Sequence, residues 1–208
     1  AIGAPNNLYN PGHVRVYQYD GVATWDKLGV DIDGEAAGDN SGYSVSLSSD
    51  GTIVAIGAPD NADTGNYAGH VRVLKYISGS WTQLGADIDG EAAVDYSGSS
   101  ISLSSDGTIV AIGAFKNDDT GDGAGHVRVY QFSGSAWAQL GADIDGEAAG
   151  DRLGWSVSLS SDGTIVAIGA TYNGDPGVYA GHVRVYDLVN YAPVAVADTL
   201  TVDEDAAL

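Results

Sequence analysis

Ser46-Leu47-Ser48-Ser49-Asp50-Gly51-Thr52-Ile53-Val54-Ala55-Ile56-Gly57-Ala58 recurs unchanged at 102–114 and 158–170, and its last four residues open the chain as Ala1-Ile2-Gly3-Ala4. A second block, Gly-His-Val-Arg-Val, occurs four times, with its histidine at His13, His70, His126 and His182. These histidines stand 57, 56 and 56 residues apart. A period of this length means structural units that bury their apolar faces against their neighbours. Within one unit, 42–48 alternates small polar and apolar residues, the period of a half-buried strand. Asp50-Gly51 makes a tight turn, and the β-branched run 52–58 reads as the most buried strand. A loop rich in Asp, Asn and Gly covers 59–69, and 70–76 alternates again as a third strand. Ser78-Gly79 turns the chain, and 81–88 reads as a fourth strand. Four antiparallel strands per unit describe a propeller blade. A β-solenoid is the runner-up, but its coils are shorter and rarely hold two hairpin turns.

The fold class is therefore all-β, a partial ring of blades. The boundaries fall at 1–40 (a partial unit), 41–96, 97–152 and 153–188. The chain enters at the second strand of a unit and leaves after the third strand of the last. Pro193, at the repeat position of Trp81 and Trp137, breaks the fourth-strand pattern there. An absent Met and a start inside a repeat read as a piece of a longer protein. Open blade faces favour self-association.

Acids outnumber bases by 28 to 8, for a formal charge of −20. Such a surface repels nucleic acid and anionic lipid, so neither is an expected partner. Of the acids, 24 are Asp, which suits turns and caps better than helices. The absence of Cys excludes disulfides, zinc-thiolate sites and thiol chemistry. No stretch is long and apolar enough to cross a membrane.

Gly3-Ala4-Pro5 and Gly57-Ala58-Pro59 recur in altered form as Gly113-Ala114-Phe115 and Gly169-Ala170-Thr171, and Gly42, Gly98 and Gly154 open the first strand of successive units. In these elements, 1–186 resembles the FG-GAP repeats of the integrin α-subunit propeller and of bacterial and algal surface proteins. The resemblance implies a seven-bladed propeller used in adhesion and ligand binding, extracellular, with calcium in some blades. That family's calcium motif lies between the first two strands of a blade, where this chain has only the short Ser-Ser-Asp-Gly turn. Residues 189–208, with Asn190-Tyr191-Ala192-Pro193-Val194-Ala195 and Asp203-Glu204-Asp205, resemble the truncated start of a cadherin-like or immunoglobulin-like domain.

Calcium-like carboxylate spacing appears in a different loop. Asp31, Asp33, Glu35 and Asp39 occupy positions one, three, five and nine of the connection between units. Asp87, Asp89, Glu91 and Asp95 repeat the pattern, as do Asp143, Asp145, Glu147 and Asp151. Hard cations need several oxygens from one short loop, so these residues are the candidate Ca²⁺ ligands. Alternating Asp that merely solubilises an outer strand is the plainer explanation. The loops between second and third strands share a rim with these connections and vary between units, so Asp60, Asp63, Asp118, Asp119 and Asp175 are candidate ligand-binding residues. Trp155 joins them because it replaces Tyr43 and Ser99 at its repeat position.

Four equivalent His-Val-Arg segments lack the singular geometry of a catalytic triad. Each His is expected to be hydrogen-bonded within or between blades. Each Arg is expected to pair with an Asp, either Asp50, Asp106 and Asp162 or Asp31 and its equivalents. Trp25, Trp81 and Trp137 are expected to pack blades. The function expected is a non-enzymatic extracellular binding or adhesion module that presents an acidic rim to a protein or glycan, assisted by calcium and with no other cofactor. Two alternatives stay open: a propeller of an exported polysaccharide-active hydrolase or lyase, in which Lys116, Arg152 and Asp119 would converge, and a passive spacer.

Overall fold

A computed structural model of the chain describes residues 1–5, 11–174, 177 and 179–188. Asp175 and the segment 189–208 lie outside the described residues. Among the described residues there is no helix. The first unit contains β1 (Ile2–Ala4), β2 (His13–Arg15), β3 (Tyr17–Tyr19), β4 (Trp25–Lys27) and β5 (Ile32–Asp33). The second contains β6 (Ser44–Leu47), β7 (Ile53–Ala58), β8 (His70–Ile77), β9 (Ser80–Gln83) and β10 (Ile88–Asp89). The third contains β11 (Ser100–Leu103), β12 (Ile109–Ala114), β13 (His126–Phe132), β14 (Trp137–Gln139) and β15 (Ile144–Asp145). The last has β16 (Leu153–Leu159), β17 (Ile165–Ala170) and β18 (His182–Asp187).

Each sheet is antiparallel and neighbouring strands follow sequence order as the repeat predicted, with β3 and β4 of the first unit pairing as a sheet of their own. One element differs. The continuous fourth strand expected over 81–88 is broken in two. Gln83 pairs with Leu74 and Ile88 with Val71, so this strand holds more residues than its partner between those pairs. Leu84 still donates its N–H to the Val73 carbonyl at 2.8 Å, and the excess is absorbed by a kink through Gly85 at φ 74°.

The turn between the first two strands is closed by its own side chains. Asp50 accepts from the Ser48 hydroxyl at 2.7 Å and the Thr52 N–H at 2.9 Å, while Ser48 Oγ accepts from the Ile53 N–H. Asp106 and Asp162 repeat this arrangement. These aspartates therefore do not pair with the arginines, which find their acids elsewhere.

The core lies between blades rather than inside any one. Val14, Val16 and Ile32 pack on Val54, Ile56 and Leu74 across the first seam. Ile53, Val71 and Val73 meet Leu103, Val110 and Ile112 across the second. Val127, Val129 and Ile144 meet Leu153, Val166 and Ile168 across the third. The seams are also bonded. Ser44 and Ser100 donate to the Gly98 and Gly154 carbonyls at 2.7 Å, and the Trp81 and Trp137 indoles donate to the Leu28 and Leu84 carbonyls at 2.9 and 2.7 Å. A Cβ on Gly57 would press into the Gly98 carbonyl oxygen, and one on Gly113 into that of Gly154. Glycine is required there so that two backbones can touch. Beyond the last seam the pattern is uncovered: Val127 and Val129 are 0% and 2% exposed, whereas their equivalents Val183 and Val185 are 65% and 45% exposed.

Candidate functional site

The connections between units and the loops between second and third strands share one rim. Thr64 donates to the Gly90 carbonyl at 3.0 Å and Thr120 to that of Gly146 at 2.7 Å. Tyr96 N–H donates to the Tyr67 carbonyl, and Asn61 Nδ2 to Asp39 at 3.2 Å. The predicted metal-loop acids take different partners in order along the loop. At its first position, Asp31 accepts from Arg15 and Lys27, Asp87 from Gln83, and Asp143 from Arg128. The third-position acids sit on the short strands opposite histidines: Asp33 pairs with His13, Asp89 with His70 and Asp145 with His126. At the fifth position, each Glu faces the arginine of the following blade: Glu35 lies 3.7 Å from Arg72, and Glu91 and Glu147 pair with Arg128 and Arg184. At the ninth, Asp39, Asp95 and Asp151 are buried, each accepting from a backbone N–H three residues earlier and from Asn61, Asn117 or Asn173. Arg15 and Arg128 thus match the alternative expected from the sequence, with Asp31 and its equivalent Asp143 as partners, whereas Arg72 and Arg184 face Glu35 and Glu147 instead.

Burial sets the ionisation of several of these groups. It raises the carboxyls of Asp60, Asp89, Asp95 and Asp145 above their ordinary value, and for Asp89 and Asp145 the neighbouring Asp87 and Asp143 add to the rise. Asp143 is pushed up by burial, but hydrogen bonds from Arg128 and Gln139 outweigh it and leave the carboxyl lowered. Burial and the Arg128 charge lower His126.

Two groups of acids and imidazoles form across the seams. Glu35, Asp63 and His70 bring one candidate ligand atom each to within 4.8 Å of one another, as do Glu91, Asp119, His126 and Asp143. Contrary to the expectation that every His is bonded, the Nδ1 atoms of His70 and His126 are buried without a hydrogen-bond partner. Asp63 and Asp119 therefore sit within these groups. Their backbone N–H groups donate to Asn61 and Asn117 at 3.0 Å, which fixes the loop. Asp60 accepts from Asn40, and Asp118 from the Gly123 N–H at 2.7 Å.

A second rim feature was not anticipated beyond Trp155. Rings run in contact across three units: Tyr67 on Tyr96 at 5.5 Å, Tyr96 on Phe115 at 5.8 Å, and Phe115 on Trp155 at 4.9 Å. The row continues from Trp155 to Tyr172 at 6.4 Å and from Tyr172 to Tyr179 at 5.4 Å. The Arg152 guanidinium lies 4.0 Å from the Tyr172 ring centre and 5.8 Å from that of Trp155. Tyr67, Tyr96, Arg152 and Tyr179 all hold positive φ, between 56° and 58°. Such backbone is uncommon for bulky residues and gathers at functional surfaces. A position-by-position comparison of the units carries the signal: Asn40, Tyr96 and Arg152 are equivalent, as are Pro59, Phe115 and Thr171, and Asp60, Lys116 and Tyr172. Arg152 thus belongs to the ring row, while Asp119 belongs to the His126 group.

The FG-GAP repeat family model matches residues 140–186, which contain the third copy of the repeated segment. The chain is FG-GAP-like over this stretch. Among curated proteins, none matches the chain. Among solved structures, a putative 6-phosphogluconolactonase from Bacteroides uniformis is similar in fold, with a TM-score of 0.54 at 13% identity over 84% of this chain and 44% of that one. Kuenenia stuttgartiensis hydrazine synthase matches with a TM-score of 0.47 at 13% identity over 74% of this chain and 34% of that one. The chain spans less than half the length of either. No helix among the described residues is long and apolar enough to cross a membrane.

Proposed function

We propose that this chain is a non-catalytic binding module of an extracellular protein, whose rim takes up a protein or glycan along the ring row. The observation that carries this reading is the continuity of Tyr67, Tyr96, Phe115, Trp155, Tyr172 and Tyr179 across three units whose strands are almost identical. Chemistry that varies at the rim while the scaffold stays fixed is the pattern of a binding surface. Rings already in mutual contact lose little freedom when a ligand arrives, so their contact area is converted to affinity efficiently. The surrounding carboxylates accept hydrogen bonds from sugar hydroxyls or protein amines, and the charge of −20 selects against polyanions. Calcium belongs to this reading as an assisting ion.

The test is binding of the fluorescently labelled chain to immobilised neutral glycans, anionic glycans and basic proteins, with calcium or with a chelator. Binding to a neutral glycan or a basic protein, lost in Trp155→Ala and Tyr172→Ala while thermal stability is kept, is the expected result. Preference for anionic glycans, or binding indifferent to both substitutions, would sink the reading. A chelator that leaves the affinity unchanged would remove calcium from it.

A further inference from the structure

We infer that the seam group Glu35–Asp63–His70 is a binding site for a divalent first-row transition cation of the Zn²⁺ type, and that Glu91–Asp119–His126–Asp143 is a second, weaker one. Each group joins a Glu from the connection between units, an Asp from the following loop, and a His from the first residue of β8 or β13, and the second group adds Asp143 from the next connection. In both, the candidate ligand atoms already lie within 4.8 Å of one another. The imidazole supplies the independent sign of a missing ligand. His70 is 1% exposed, and its Nδ1 faces Glu35 at 3.9 Å with no hydrogen-bond partner. His126 is 2% exposed, and its Nδ1 faces Asp143 at 3.9 Å, equally unpartnered. A buried polar atom left unpaired costs stability, and native structures keep few of them. A metal ion at the focus of each group would satisfy it.

The donor set names the class of ion. One imidazole nitrogen with two carboxylates in the first group, or three in the second, suits Zn²⁺ and its first-row neighbours, whereas Ca²⁺ and Mg²⁺ prefer oxygen alone. Three protein ligands leave a Zn²⁺ position for water or for a group on a docking partner. The ranking of the sites follows from their arginines. Arg72 approaches Glu35 only to 3.7 Å and Asp63 accepts only from the neutral Asn61 amide at 3.3 Å, so no cation holds the first group's carboxylates closely. Arg128 pairs with both Glu91 and Asp143, and a cation there must displace a guanidinium.

The test is calorimetric titration of the metal-stripped chain with Zn²⁺, paired with the ¹⁵N shift of His70 Nδ1. Glu35→Gln and Asp63→Asn serve as variants because both positions are exposed and neither is expected to disturb folding. The expected result is one tighter and one weaker saturable site, a His70 Nδ1 shift on the first equivalent, and a loss of at least about tenfold in the tighter affinity in either variant. A large excess of Ca²⁺ should not compete. No saturable binding, binding that survives both substitutions, or equal competition by Ca²⁺ would each overturn the assignment. Ring-row substitutions leave this titration unchanged, so its failure and that of the proposed binding surface are separable.

Discussion

Gly113 and Gly169 have the same sequence surroundings yet do different work. A Cβ at Gly113 meets the Gly154 backbone of the next blade, which cannot give way. At Gly169 the nearest atom is the Ser156 hydroxyl at 2.5 Å, the end of a side chain that can turn. Gly113→Ala should therefore cost about 1–3 kcal/mol by overpacking, while Gly169→Ala should cost well under that. Urea unfolding of both variants decides it, and equal losses would show that the seam contact is not the reason for the glycine. These residues were legible as a repeated pattern, but their purpose was not, because the partner glycine lies more than forty residues away. The same holds for His70. Its seven-residue spacing from Asp63 is plain in the sequence, yet Glu35 reaches the group only through the seam.

Seams between elements are reinforced by the indoles at the start of the fourth strands. Trp81 and Trp137 donate across to the preceding blade, while Trp25 has no neighbouring blade to donate to among the described residues and is exposed. Trp137→Phe should lose about 1 kcal/mol with the hydrogen bond, whereas Trp25→Phe should be neutral. Matched thermal melts would show it, and a comparable loss at Trp25 would refute the seam role. Strand order and turn positions were readable from periodicity. The break between β9 and β10 was not, because 81–88 keeps a strand-like composition through Leu84-Gly85-Ala86-Asp87 and only the register against β8 reveals the excess residues. The ring row escaped for a related reason. Its members come from three connections, and only stacking of the blades lines them up.

Over the whole molecule, the acids divide into two populations with opposite effects on stability. Asp60, Asp89, Asp95 and Asp145 have raised folded-state values, so the native state binds more protons than the unfolded chain, and their contribution to stability grows as pH falls from neutral towards about 4. His126, lowered by burial, opposes them below its ordinary 6.5. The turn residues Asp50, Asp106 and Asp162 are lowered, Asp162 to about 2, by hydrogen bonds from Ser and Thr. Their stabilisation is complete above their ordinary 3.8 and is lost as pH falls through the folded values. Tm measured at constant ionic strength should therefore peak on the acid side of neutrality and drop steeply below about pH 4. A maximum at or above pH 7 would contradict this balance.

The glycine-to-glycine contact recurs at every seam, so each blade offers the same two faces to whatever stands beside it. Interfaces that are interchangeable in this way make blade number an adjustable quantity: duplicating or deleting one 56-residue unit would leave the remaining seams unaltered. Lengthening the array would extend the aromatic rim by one set of loops. The reach of the surface could thus change through gene-level recombination among identical segments, with no new fold to invent.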